Sequence, residues 1–149
     1  RDRLRSRGLG DVYKRQHLIC TEQLSRRLGF KVGEELIRVV RVRSLNGSAR
    51  QVDHGYFLAS IAKGLTPEIA TDSIYAYLEH KCGVKVMASR RTVSVELAND
   101  EDCSYLDLGK YNCVAVMESQ SYTSDGILFE VTHARTHPEI FHYRVNSKR

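Results

Sequence analysis

The sequence predicts an α+β domain: a mostly antiparallel sheet of about six strands with two or three helices packed on it. The first observation behind this is the stretch from Thr66 to Leu97, which reads as a helix, a glycine stop and a long strand. Thr66 or Asp72 can cap the helix, and Pro67 suits a first helical position. Ile74, Leu78 and Cys82 recur at four-residue spacing beside Tyr75, giving one apolar face, and Gly83 stands where a left-handed residue ends a helix. Val93, Val95 and Leu97 then alternate with Thr92, Ser94 and Glu96, the period of a half-buried strand. The second observation is a pair of hairpin signals, Asn46-Gly47 and Ser124-Asp125-Gly126, each between β-branched runs.

Bulk properties narrow the function classes. A chain of 149 residues fits one domain with a real core, and 42% hydrophobic with 28% charged residues is ordinary for a globular protein. No apolar run approaches the ~20 residues of a membrane helix, and no apolar segment follows the basic start as in a secretory signal. Cys20, Cys82, Cys103 and Cys113 form no C-x-x-C pair, so reduced and mostly buried thiols in a cytoplasmic protein are expected. The net charge of +5 is concentrated in residues 1–16, where six Lys/Arg face two Asp, leaving +1 for the remainder. That segment has no apolar period. It is expected to be a non-native or disordered basic segment, with the domain occupying 17–149, and the near-neutral domain offers no phosphate-binding stripe.

In chain order, residues 21–30 predict a short helix capped by Thr21 and closed by Gly29. Two turns are too few for a DNA-reading helix-turn-helix. Glu35 to Ser44 and Arg50 to Leu58 are strands joined at Asn46-Gly47. A two-residue loop would set Arg43 opposite Arg50, an unfavourable like-charge pair. A three-residue loop, Asn46-Gly47-Ser48 with a glycine bulge, sets Arg41 opposite Asp53 and Arg43 opposite Gln51, placing all four on one face. A short helix from Asn99 through Leu106, closed by Gly109, precedes strands at Cys113–Tyr122, Ile127–His137 and Phe141–Val145.

Taken singly, the polar residues have bland readings. Arg41, Arg43 and Asp53 read as a solvated strand face with a surface ion pair worth at most ~1 kcal/mol. Ser73 reads as a helix cap and Glu130 as a solvent-facing strand residue. His133 and His137 share a strand face but are separated by ~13 Å, too far to hold one ion, so no metal is expected.

The ordered set says more. The order R-V-R, hairpin, D-x-x-Y-F-L, S-I-Y-A-Y-L-E, S-x-R-R-T-V-S-V-E-L-A-N-D-E-D, then F-E-V-T-H-A-R and F-H-Y-R-V resembles the UTRA domain over about residues 21–146. That domain is the effector module of GntR-type bacterial transcription regulators of the HutC subfamily and shares the chorismate lyase fold. The likeness is nearest to members responding to trehalose and other phosphosugars. The resemblance implies a ligand pocket on the concave face of the sheet. It implies that Arg41 and Arg43 hold the anionic end of the effector, that Asp53 accepts sugar hydroxyls, and that Ser73 favours an anion at a helix start. It places Glu130 at the family's acid on the fifth strand and Thr136 where many members carry Tyr or His. The implied protein is no enzyme and needs no cofactor: a homodimer senses a phosphorylated sugar, trehalose-6-phosphate foremost, and binds DNA only through a missing N-terminal winged helix. A chorismate lyase-like enzyme, with Glu130 as general acid, is the alternative.

Overall fold

The computed structural model describes residues 11–62, 79, 83 and 85–148. Six strands, β1 (Asp11–Ile19), β2 (Glu35–Leu45), β3 (Ser48–Leu58), β4 (Val86–Leu97), β5 (Cys113–Thr123) and β6 (Leu128–Thr136), form one sheet in the order β1-β2-β3-β6-β5-β4. Every neighbouring pair is antiparallel. Two helices, α1 (Glu22–Leu28) and α2 (Asp100–Tyr105), join them among the described residues. The fold class expected from the sequence is the observed one. The helix expected over 66–82, Ser73 included, lies outside the described residues apart from Glu79.

Local chemistry explains both helices. The Leu24 amide donates to Thr21 Oγ1, and Gly29 closes α1 with φ +98°. Asn99 and Asp102 form a capping box around the start of α2. Leu106 is the C-cap of α2 in extended backbone, so the helix ends before Gly109, which serves a later turn at φ +61°.

Both helices pack on the same sheet face. Alternation puts Leu36, Val40, Val42, Val52, Tyr56, Leu58, Val114, Val116, Phe129 and Val131 on that face, all of them buried. Leu28 and Phe30 cover one end of it, and Leu106 and Leu108 cover the other. Between the two apolar clusters the face turns polar. There Arg135 on β6 donates from Nε and Nη2 to the two oxygens of Asp102, at 2.8 and 3.0 Å, and from Nη1 to Glu96. Asp102 is 0% exposed, so one carboxylate both caps its own helix and anchors it to the sheet.

The β2–β3 hairpin has the expected pairing by a different route. Arg41 faces Asp53 and Arg43 faces Gln51, but Leu45 pairs with Ser48, so the loop is Asn46-Gly47 alone. The extra residue is Arg50, bulged between Ala49 and Gln51. Positive φ at both Asn46 and Gly47 makes the turn type I′, whose twist matches the strands, and the bulge removes the Arg43–Arg50 opposition.

Other expectations are corrected. Phe141–Val145 is not a strand: it joins neither sheet edge, and Tyr143 and Val145 are exposed. β1 supplies the sixth strand instead, and it takes in Asp11–Gln16 from the segment set apart as lying outside the domain; backbone pairing to β2 makes it a strand without any apolar period. Ile127 is exposed and precedes β6. β4 is not half-buried, since it is an edge strand with Val95 73% and Leu97 76% exposed. Alternation identifies an apolar face without saying that the same chain covers it. Of the described cysteines only Cys20 is buried; Cys103 is exposed.

Removing the Asp102 carboxylate leaves Arg135 buried beside half-exposed Glu96 alone. Asp102→Ala is expected to lower unfolding stability by about 3–5 kcal/mol. Glu96→Ala is expected to cost under about 1 kcal/mol, both read from urea midpoints at unchanged slope.

Candidate functional site

The opposite sheet face carries the residues singled out from the sequence. The registers align Arg41, Asp53 and Ala134 in one cross-strand row, and Arg43, Gln51 and Thr136 in the next. Asp53 is buried at the centre of this cluster. Arg43 Nε donates to its Oδ2 at 3.1 Å and Gln51 Nε2 donates to its Oδ1 at 2.7 Å. Thr136 is buried beside Gln51.

Glu130 lies on the same face but farther along, opposite Phe57, four residues from Asp53 and so roughly 13 Å away along the strand. It is 4% exposed and accepts a hydrogen bond from Thr132 Oγ1. Between the two acids the floor is Gly55, paired with Thr132. A Cβ on Gly55 would sit 2.9 Å from the Phe57 ring, so the glycine is what lets that ring lie against the sheet.

Arg41 is the electrostatic anomaly. Its Nε is buried and meets no hydrogen-bond partner among the described residues. Burial lowers the guanidinium pKa, Arg43 lowers it further, and Asp53 opposes both. Arg43 spends its Nε on Asp53, so a paired Nε and an unpartnered one stand side by side. A half-buried guanidinium with a spare donor has the geometry and charge that suit a phosphate or carboxylate oxygen.

The helix-bearing face holds a second polar cluster that sequence reasoning missed. A cleft of about 140 Å³ opens there between α1 and α2. His54 and His133 are directly opposed on its floor, with Arg135 beside them and Arg38, Arg27 and Glu101 around them. The signal was present in the alternation, since Arg38, His54, His133 and Arg135 fall on the strand positions opposite to those chosen. Nothing in their spacing marked them as a group.

Comparison with known proteins follows the same architecture. The UTRA domain family model matches residues 10–142. The chain belongs to the UTRA domain family. The HTH-type transcriptional regulator TreR of Bacillus subtilis (strain 168) is 28% identical over 123 residues, 83% of this UTRA chain and 52% of TreR. The uncharacterized HTH-type regulator YydK of the same organism is 31% identical over 88 residues, 59% of this chain and 37% of YydK. The chain thus spans about half or less of these relatives' length. Among solved structures, the effector binding domain of the B. subtilis trehalose repressor superposes with a TM-score of 0.87 at 26% identity, covering 95% of this chain and 98% of that one. A GntR-family regulator from Bacillus cereus superposes at 0.83 with 22% identity over 93% and 97% of the two chains, which shows the fold.

Within this UTRA sheet, Arg41, Arg43, Asp53 and Thr136 come together and Glu130 shares their face at a distance. Glu130 sits on the sixth strand rather than the fifth, because β1 adds a strand ahead of the hairpin. Ser73 lies outside the described residues. Gln51 is an addition in role, since it fixes the Asp53 carboxylate.

An unsatisfied buried donor costs about 1–3 kcal/mol, and Arg41→Met keeps the stem while removing it. Arg41→Met is therefore expected to raise the melting temperature of the unliganded protein by roughly 2–4 °C in calorimetry.

Proposed function

We propose that this UTRA domain is the effector-binding and dimerisation part of a cytoplasmic GntR-type transcriptional regulator of the HutC subfamily. Its effector is a small phosphorylated sugar, with trehalose-6-phosphate the first candidate. The observation that carries this reading is Arg41, a half-buried guanidinium whose buried Nε has no partner among the described residues, beside the Arg43–Asp53 pair. A phosphate would satisfy Arg41 with charge-assisted bonds. Asp53, its orientation fixed by Arg43 and Gln51, would accept from nearby hydroxyls, and Glu130 would receive the far end of the ligand. Ser73 and Thr136 complete the proposed ligand-binding set. The naming of one structural neighbour as a trehalose repressor supports the choice of sugar.

DNA binding belongs in this proposal to a winged helix joined ahead of the UTRA domain. Ligand acts by its differential affinity for two arrangements of the dimer, which biases the position of those DNA-binding parts. The exposed row Val93, Val95 and Leu97 on edge strand β4 supports a second copy as the partner there, because an antiparallel edge can pair with itself about a two-fold axis.

A thermal-shift panel of phosphosugars, their unphosphorylated parents and chorismate tests the effector. A phosphosugar at a hundredfold excess over its dissociation constant is expected to stabilise by about 2.7 kcal/mol, a shift of roughly 5–11 °C. Arg41→Ala and Arg43→Ala are expected to abolish that shift. A response to chorismate with turnover would replace this reading by a lyase, and no response to any phosphosugar would remove the sugar.

Light scattering tests the assembly separately. The domain is expected to be a dimer that Val95→Glu converts to a monomer with its far-ultraviolet dichroism intact. A wild-type monomer would overturn the dimer alone.

A further inference from the structure

The cleft between α1 and α2 lies on the other side of the sheet from the Arg41 cluster, and it stands independently of the function proposed above. Its lining charges do not cancel. Arg135 is matched by Asp102 and Glu96, so it builds the wall and attracts little. Arg38 Nη2 donates to both His54 Nδ1 and Glu101 Oε1, each at 3.2 Å, while its Nε is buried with no partner. His133 Nε2 is likewise buried without a hydrogen bond, the nearest carboxylate oxygen, of Glu118, being 3.7 Å away. Arg27, at the end of α1, is exposed at the rim and makes no ion pair among the described residues. Glu101 is the one carboxylate among the lining residues. Two guanidinium groups and an imidazole therefore border a space lined by one acid, Glu101, with Glu118 3.7 Å from His133 outside the lining.

We propose that this cleft is a binding site for a small oxyanion, of phosphate or small-carboxylate size, held by Arg27, Arg38 and His133. The dimensions select that class. A cleft of about 140 Å³ is roomy for several waters, yet it falls below the roughly 300–1,000 Å³ of sites for drug-sized ligands. A cation is the wrong sign, and among the described residues no group of three His, Cys, Asp or Glu is placed to hold a metal.

The two histidines couple the site to protons. Burial lowers the pKa of both. Around His133, Glu118 and Glu96 oppose the burial effect while Arg27 and Arg135 reinforce it. Around His54, Glu101 and Asp102 oppose while Arg38 and Arg135 reinforce. The 3.2 Å contact with Arg38, which can only donate, suits an accepting Nδ1 and so the neutral form of His54. Without anion, stability contributed by the neutral imidazoles is present above their unfolded pKa of about 6.5 and lost as pH falls below it. A bound oxyanion favours the protonated His133 ring, so it binds more tightly as pH falls through the same window.

Inorganic sulfate, of phosphate size and a dianion throughout this range, is the probe, titrated calorimetrically into the full chain at constant ionic strength with chloride as the control, at pH 6.0 and pH 7.5. To empty the other face of its anion receptor, the titration is done in Arg41→Ala as well as wild type. Sulfate is expected to bind both, about fivefold or more tightly at pH 6.0 than at pH 7.5, and to shift the His133 ring resonances in NMR. Arg27→Gln, which alters an exposed residue and leaves the fold intact, is expected to weaken it about tenfold; Arg38→Gln and His133→Gln are expected to weaken it further. Binding lost in Arg41→Ala but kept in Arg27→Gln would assign the anion to the other face and overturn the proposal. So would binding with no pH dependence, or none above the chloride control.

Discussion

The geometry of the Arg41 cluster depends on one residue of slack in the β2–β3 hairpin. A side chain alternates faces at each step along a strand, so a slip of one position exchanges every inward residue for an outward one. The type I′ turn at Asn46-Gly47 fixes the hairpin end, and the bulge at Arg50 inserts the single residue that brings Arg41 across from Asp53. Without the bulge Arg41 would face Val52, whose side chain is sealed in the apolar layer under α2. Asp107 holds that end of the hairpin in place: its Oδ2 accepts from the Ala49 amide and Ser48 hydroxyl, and its own amide donates to Ala49. The loop after α2 therefore helps to set the register of a hairpin far from it in sequence.

The same strands serve two chemistries because they are read from two sides. On β3, Asp53 faces one layer and His54 the other; on β6, Ala134 is flanked by His133 and Arg135. The charges on the two sides are solved differently. Under α2 the strongest cation is matched twice over, and its hydrogen bonds to Asp102 and Glu96 hold the Arg135 pKa up against burial. On the Arg41 side the matching stops one partner short. Arg41 Nε, like Arg38 Nε and His133 Nε2 in the cleft on the other side, is buried without a partner among the described residues.

How much of this was legible in the sequence follows from the range of each signal. Caps and turns are local, so Thr21, Gly29, Asn99 and Asn46-Gly47 were readable within a few residues. The Arg41–Asp53 pairing was readable because like-charge opposition excluded the alternative, although the spare residue proved to be Arg50 rather than Ser48. Phe141–Val145 has strand-like composition but joins neither edge of the sheet, and composition does not assign edges. β1 was missed for the converse reason: an edge strand held by backbone bonds to β2 needs no hydrophobic period. The cleft histidines were invisible because His54 and His133 are seventy-nine positions apart and meet only through the β3–β6 register.

The double duty of Asp102 also bears on how such a chain can drift. Its carboxylate caps α2 through Asn99, closes the capping box, and takes both bonds from Arg135. Replacing Asp102 first strands a guanidinium under the helix, and replacing Arg135 first strands a carboxylate in the same dry place. Exchange of Asn99 alone is milder, since it uncaps one short helix. No sequence of single neutral steps leads from this pair to an apolar one, even though the apolar pair itself is no less stable in principle. The Asp102–Arg135 pair is thus a mutational ratchet in energetic terms: each single replacement costs stability that only the second replacement returns.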